Sequence, residues 1–481
     1  MSNTDKTQKK SKYRYLAGNI ALFSVSNFVS KILVFLLVPL YTGVLTTYEY
    51  GVADILQVTM LLLVPALTEN MGEAALRFGI EETGRRGSIL RCGLKYVLRA
   101  DVIVLILAGV LAIFVTGPIK WYVFCFVFLF AANSMYEYLV LYFQGCEMVP
   151  IVVGGSLCST TVMIACNLIF LLVIKTGLNG YIFSQVIAYA AASLLMLLLS
   201  RRTLKEMSFE RDAALEREMV TYSRPMLAYS TASWVNNAAD RYIVAGICGA
   251  AANGVYGVAY KIPAILMVFQ RVFAQAWQLS ATKSHNEGEG GEFFSSMYKV
   301  YNTVMVIGCS VLIFMVRPLA YVLFQKDFFA AWKFVPPLLI SVIFGALTGF
   351  LGSICLAHKD SKSMGLATGV GALANVILNL ITVPYFGAMG AAWATAFSYF
   401  LMSALALYFV KKHEKLSHNR LRDYMSYVLL IIESVIMIMS GRYSIWVCST
   451  IMVMIWALYA MDIKEILGRL IGLLKKHEGT Q

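Results

Sequence analysis

Apolar runs of about twenty residues follow one another along this chain with short polar breaks between them, and a bilayer needs that length for a helix. Inside hydrocarbon no water is present to bond the backbone, so each run must satisfy its own N–H and C=O groups as a helix does. With 59% hydrophobic and only 14% charged residues among 481, an ordinary soluble protein is excluded. About fourteen spans are expected. They lie near 16–42, 50–76, 100–117, 119–143, 150–174, 180–200, 223–247, 253–280, 299–316, 332–356, 363–383, 388–410, 424–440 and 443–461.

Part of this pattern occurs twice. Ser24, Val29, Val38, Gly43, Tyr50, Gly51, Val52 and Ala53 are matched 206 residues later by Ser230, Val235, Val244, Gly249, Tyr256, Gly257, Val258 and Ala259. Each copy also sets a polar stripe on one helix face: Ser24, Asn27 and Lys31 in the first, Ser230, Ser233 and Asn237 in the second. The copies are offset by six spans, an even number, so both halves enter the membrane in one direction. Parallel repeats of this kind build many transporters. The expected division is 1–15 cytoplasmic tail, 16–200 first six-helix lobe, 201–222 cytoplasmic linker and 223–410 second six-helix lobe. A loop with helices 13 and 14 follows over 411–461, then an amphipathic cytoplasmic tail over 462–481, where Ile463, Ile466, Leu467, Leu470, Ile471 and Leu474 keep helical spacing suited to a membrane surface.

The net charge of +13 is distributed as an orientation signal. Of the 40 lysines and arginines, 28 fall on the inner side of this map and 5 outside it (Lys120, Lys175, Arg317, Lys326, Arg442). Positive charge stays cytoplasmic, which predicts a multi-pass protein of the cytoplasmic (inner) membrane with both termini in the cytoplasm. No nucleic-acid motif accompanies the charge. The nine cysteines are scattered through apolar segments without a CxxC pair, and the five histidines lack metal-ligand spacing, so neither a disulfide framework nor a metal or cofactor site is expected.

A charge at bilayer depth costs at least about 2.5–3.5 kcal/mol, so each needs a partner, an aqueous cavity or a function. Lys31, Arg241, Lys261 and Arg271 lie within spans 1, 7 and 8, and Asn27, Ser233, Asn237 and Gln275 are polar at similar depth. On a continuous span 8, Arg271, Gln275 and Gln278 share a face and Lys261 projects roughly 80° away. A lumen lined by these cations selects an anion, and phosphate groups suit arginine forks and lysine point charges. Among the membrane acids, Asp240 and Glu137 are candidates to carry a coupling ion. Glu73 and Arg77 have the spacing of a helical ion pair. Tyr136, Tyr138, Tyr142 and Trp234 are candidates to stack on sugar rings. Gly365, Gly369 and Gly390-Ala391-Ala392 suit close helix approach.

Asp240-Arg241-Tyr242-Ile243, then Gly249, then Gly254-Val255-Tyr256-Gly257-Val258-Ala259-Tyr260-Lys261-Ile262 resembles the span 7 to span 8 signature of polysaccharide repeat-unit flippases. These belong to the multidrug/oligosaccharidyl-lipid/polysaccharide (MOP) exporter superfamily. Pro39-Leu40-Tyr41-Thr42 with Glu49-Tyr50-Gly51, and Asn375, Asn379, Pro384, Gly387 and Gly390-Ala391-Ala392, are similar too. The resemblance covers roughly residues 15–410 and implies an all-α integral membrane fold: two parallel six-helix bundles, MATE-like, plus two C-terminal helices. It implies a flippase, not an enzyme, moving an undecaprenyl-diphosphate-linked oligosaccharide outward by alternating access. Proton or sodium would be the coupling ion, and membrane lipids and a polysaccharide polymerase machinery the partners. Lys31, Arg241, Lys261 and Arg271 would line the cationic lumen. A lipid II-type precursor flippase is the alternative. Cation-coupled multidrug efflux is disfavoured, because span 1 carries Lys31 where many drug exporters carry an acid.

Overall fold

The structure, a computed structural model, describes residues 33–465 and 468 apart from 34, 206, 288–289, 418, 440 and 442. Ser24, Asn27, Lys31, the 1–15 tail, most of the first span and the tail helix beyond 468 lie outside the described residues. So do the side chains of Ser233, Gln275 and Gln278.

The described secondary structure is helical throughout. In order come α1 (Val38–Val44), α2 (Thr47–Leu67), α3 (Met71–Glu81), α4 (Arg86–Phe114), α5 (Pro118–Gly145), α6 (Val149–Asn167), α7 (Gly177–Leu199), the short α8 (Arg201–Lys205) and α9 (Ala213–Cys248). Then follow α10 (Ala250–Ala259), α11 (Pro263–Glu287), α12 (Gly290–Phe314), α13 (Val316–Leu323), α14 (Val335–Ala357), α15 (Ser361–Val410), α16 (Arg420–Met439) and α17 (Ser444–Leu458). Contacts divide the chain into two compact units, up to Trp234 and from Val235, with the division inside α9. Among the described residues eight helices are long and apolar enough to cross a membrane, nine if α10 and α11 count as one bent span. One of the eight, α15, runs 50 residues and leaves helical geometry at Gly387, whose φ of 56° suits glycine. At about 1.5 Å per residue it is long enough for two crossings.

In the first unit, α2 starts where Thr46 and Glu49 satisfy each other's backbone. The Thr46 hydroxyl accepts from the Glu49 N–H at 3.2 Å and Glu49 Oε2 accepts from the Thr46 N–H at 2.8 Å, a capping box. Glu49 Oε1 also accepts from the Leu178 N–H at 3.2 Å, tying this start to that of α7. The second expected span is not one helix. Glu69 and Asn70 adopt φ of 52° and 54° and split it into α2 and α3. The break is held by the Asn70 amide donating to Ser230 Oγ at 3.1 Å, and by Glu69 pairing with Arg99 at 3.4 Å and Arg224 at 3.1 Å. Arg77 pairs with Glu81 at 3.2 Å rather than with Glu73, and its guanidinium lies 4.5 Å above the Tyr222 ring. Exposed ion pairs like this contribute at most about 1 kcal/mol.

The core of this unit explains two further departures. Tyr138 and Tyr142 are buried, their hydroxyls donating to Ile89 O at 3.0 Å and Arg86 O at 3.1 Å. They are packing residues, not sugar platforms. A Cβ on Gly145 would meet Leu76 O at 2.6 Å, so α3 and α5 touch backbone to backbone there. A Cβ on Gly390 would likewise meet Thr382 O at 2.7 Å, whereas at Gly365 and Gly369 it would meet nothing within 4 Å among the described residues.

The second unit is built around α14, 83% buried over its apolar window. Phe350 of α14 stacks on Trp277 at 4.2 Å, and the Trp277 indole N–H donates to Phe350 O at 3.0 Å. The last two helices are joined to α12 by polar contacts. Asn302 donates to Tyr459 Oη at 3.1 Å and accepts from Tyr427 at 2.8 Å, and Asp462 pairs with Arg422 at 2.6 Å and Lys299 at 2.9 Å. Leu373, Leu380, Ile381 and Tyr385 on α15 are exposed, an apolar surface suited to lipid.

A clasp closes the two ends of α15. His413 Nε2 meets Asp360 Oδ2 at 2.8 Å, His358 Nε2 meets Glu414 Oε1 at 3.3 Å, and the two imidazoles stack at 5.0 Å. Asp360 also caps α15 by accepting from the Ser363 N–H at 3.1 Å. Hydrogen bonding from Ser363, and then from His413, holds the Asp360 carboxyl down at about 2, against an ordinary 3.8. A depressed acid stabilises the fold above its unfolded value, and that stabilisation is lost as pH falls toward the folded one. Wild type is therefore expected to melt above Asp360→Asn at neutral pH, with the gap closing as pH falls through about 4 toward 2 in a detergent thermal-shift series. A gap that stays constant over that range would show the clasp does not depend on the ionised acid.

Candidate functional site

Asp240 is the hub of the second unit. The residue, on α9, is 1% exposed. Oδ2 accepts from Tyr256 Oη at 2.6 Å, from Tyr260 Oη at 2.7 Å and from Thr395 Oγ1 at 3.3 Å. Thr395 accepts in turn from the Asn375 amide at 3.2 Å, and Asn379 donates to Asn375 O at 2.8 Å and Oδ1 at 3.2 Å. All of these are buried save the partly buried Tyr260. Spacing positions them: Tyr256 and Tyr260, and Asn375 and Asn379, sit at i, i+4 and so share a helix face. Hydroxyl donors to an ionised acceptor are among the stronger hydrogen bonds. The arrangement holds a carboxyl group inside the fold on three hydroxyl partners.

Around the hub the cations are arranged differently from each other. Arg241 gives its backbone N–H to the Asp240 carboxylate at 2.9 Å, and its guanidinium lies 4.5 Å over the Tyr260 ring. Asn237, exposed, accepts from Tyr399 Oη at 2.8 Å. Lys261 does not lie on a continuous helix: it falls in the 260–262 break where α10 and α11 bend by 52°. The 80° relation to Arg271 therefore does not apply. Arg271 is exposed, about 12 Å along α11 from the bend. Among the described residues neither Lys261 nor Arg271 has an acidic partner.

A family model described as polysaccharide biosynthesis protein matches residues 16–280, a stretch that includes Asp240, Arg241, Tyr256, Tyr260 and Lys261. The chain belongs to this family. As a polysaccharide biosynthesis family member it also has the fold of known membrane transporters. The lipid II flippase MurJ in an inward closed conformation is similar with a TM-score of 0.66 at 14% identity, over 93% of this chain and 99% of that one. A MATE-family multidrug resistance transporter of the MOP superfamily is similar in its inward-facing form, with a TM-score of 0.58 at 11% identity over 81% and 94%. An outward-facing structure of such a transporter gives 0.56 at 13% identity over 82% and 94%. No curated protein sequence matches the chain. At these identities the structural likeness shows the fold alone: all-α, with the helix arrangement of these membrane proteins.

In the first unit of this family member, Glu137 is exposed on α5 and lines a cavity of about 210 Å³ with Glu73, Asn70, Thr68 and Ser134. Tyr136 stacks on Tyr189 at 5.2 Å, and the Trp234 indole donates to Val58 O at 2.6 Å. Tyr256, Tyr260, Thr395 and Tyr399 were not among the site residues expected from sequence. For Tyr256 and Tyr260 the signal was their i, i+4 spacing beside the family motif; Thr395 and Tyr399 had none.

Proposed function

We propose that this chain flips an undecaprenyl-diphosphate-linked oligosaccharide from the inner to the outer leaflet of the cytoplasmic membrane by ion-coupled alternating access. The observation that carries the reading is the pair Lys261 and Arg271, membrane-level cations with no acid beside them among the described residues, within a polysaccharide biosynthesis family chain. A cation kept at that depth at a cost of about 2.5–3.5 kcal/mol is offset once an anionic headgroup reaches it. Arg241, Lys261 and Arg271 bind the diphosphate, with Lys31, Asn27, Ser233, Asn237 and Gln275 as further polar contacts. Asp240 takes the coupling proton or sodium, and Glu137 is a second acid available to it. The termini are cytoplasmic, as the charge distribution requires.

Depletion of the protein in its host should leave a lipid-linked oligosaccharide accumulated on the cytoplasmic leaflet, cleared again by re-expression and read by mass spectrometry of leaflet-accessible lipids. Accumulation of a peptidoglycan precursor instead would transfer the reading to lipid II. No accumulated lipid-linked sugar of either kind would end it.

A further inference from the structure

The two helices that lie beyond the duplicated spans contain an acid with no part in the hub around Asp240. Glu433, on α16, is fully buried between helices. One carboxyl oxygen, Oε2, accepts from Ser310 Oγ of α12 at 2.8 Å. The other, Oε1, is buried and meets no hydrogen-bond donor, and the neighbouring Ser434 hydroxyl is likewise unmatched.

Every element packed on α16 bears on its state. On α12 the groups beside it are Ser310 and Cys309, on α17 Cys448, whose thiol donates to the Glu433 backbone carbonyl at 3.6 Å. On α14 no residue between Val335 and Ala357 is charged. Arg317 of α13 lies 4.6 Å over the Trp332 ring, and no ion pair to Glu433 is present among the described residues. An ionised Glu433 would be a buried charge with one hydroxyl for company, the arrangement proteins avoid most strongly. A neutral acid protonated on Oε2 donates to the Ser310 hydroxyl across the same contact and leaves unmet only one uncharged carbonyl oxygen. The geometry suits the neutral form.

We propose that the α16–α17 hairpin has a proton-binding site of its own at Glu433. One proton joins the Glu433 carboxylate to give the acid that packs against Ser310, and its loss creates a charge that this joint does not hold. The hairpin's grip on α12 thereby depends on proton occupancy, independently of Asp240 and of what the protein transports.

Infrared difference spectroscopy on the full-length protein in lipid vesicles tests this. Wild type minus Glu433→Gln at neutral pH should contain the carbonyl band of one protonated carboxylic acid, exchanged for carboxylate bands as pH is raised. Carboxylate bands already present at neutral pH, or no difference band at any pH, would overturn the proposal. Should the glutamine variant not fold, Ser310→Ala leaves the acid in place and should shift the same carbonyl band. A band unmoved by that change overturns the assignment.

Discussion

Asp240→Asn is expected to keep the protein folded and membrane-inserted while removing its response to an ion gradient. The asparagine side-chain oxygen can still accept from one of Tyr256, Tyr260 and Thr395, whose hydroxyls can rotate to accept from the new amide. What disappears is the negative charge that a proton or sodium would neutralise. Coupling between sites is typically about 1–3 kcal/mol, so gradient-driven transport should fall roughly 5–150-fold. Asp240→Ala should behave worse and differently. It leaves the buried Thr395 hydroxyl and one of the two tyrosine hydroxyls, which still reach each other at 3.2 Å, without an acceptor, at about 1–3 kcal/mol for a buried group, and membrane abundance should drop with activity. Reconstituted vesicles with a fluorescent lipid-linked oligosaccharide, energised in turn by proton and sodium gradients, separate the two effects. Asn-variant vesicles that respond to a gradient as wild type does would remove Asp240 from the coupling role. Tyr256→Phe gives an internal control, since it deletes one 2.6 Å donor and leaves the charge.

How much of this was readable beforehand differs from element to element. Span positions are a matter of local composition, and α5, α7 and α14 begin and end near their expected limits, whereas α4 starts at Arg86, well before the expected 100, because its helix continues into a polar stretch. The breaks were harder. Pro263 marks the bend after Lys261, because proline cannot continue the hydrogen-bond ladder of the residues before it. Glu69 and Asn70 have no such mark. Their left-handed backbone is held by Ser230, Arg99 and Arg224, residues remote in sequence. The hub shows the same limit. Asp240 and the i, i+4 pairs Tyr256/Tyr260 and Asn375/Asn379 each announce a polar helix face. Nothing local says that Thr395, 155 positions away, closes the network. Burial at membrane depth is visible in a sequence, but the partner of a buried group depends on helix packing. That is why Glu73 with Arg77 failed as a pair, and Tyr138 and Tyr142 as sugar platforms.

The largest effect should come from the cations together. Replacing Arg241, Lys261 and Arg271 by alanine is expected to abolish export while leaving abundance near wild type. Arg271 is exposed and Lys261 partly so, which means that truncating either creates no core cavity. Arg241 is partly buried against Tyr260, and some of its loss would be lost packing rather than lost charge. If each cation supplies a charged hydrogen bond to diphosphate at about 1.5 kcal/mol or more, removing all three exceeds 4 kcal/mol, about a thousandfold in headgroup binding. Arg241→Lys should be intermediate, since it keeps the charge but gives up the planar stacking and the forked donors that a phosphate accepts. Lys261→Arg should be tolerated on the same ground. The measurement is cell-surface polysaccharide in a depleted host complemented with each variant, with membrane abundance by immunoblot beside it. A triple variant that restores surface polysaccharide fully would mean these charges face lipid headgroups and not a substrate, and the diphosphate-binding role would be lost with it.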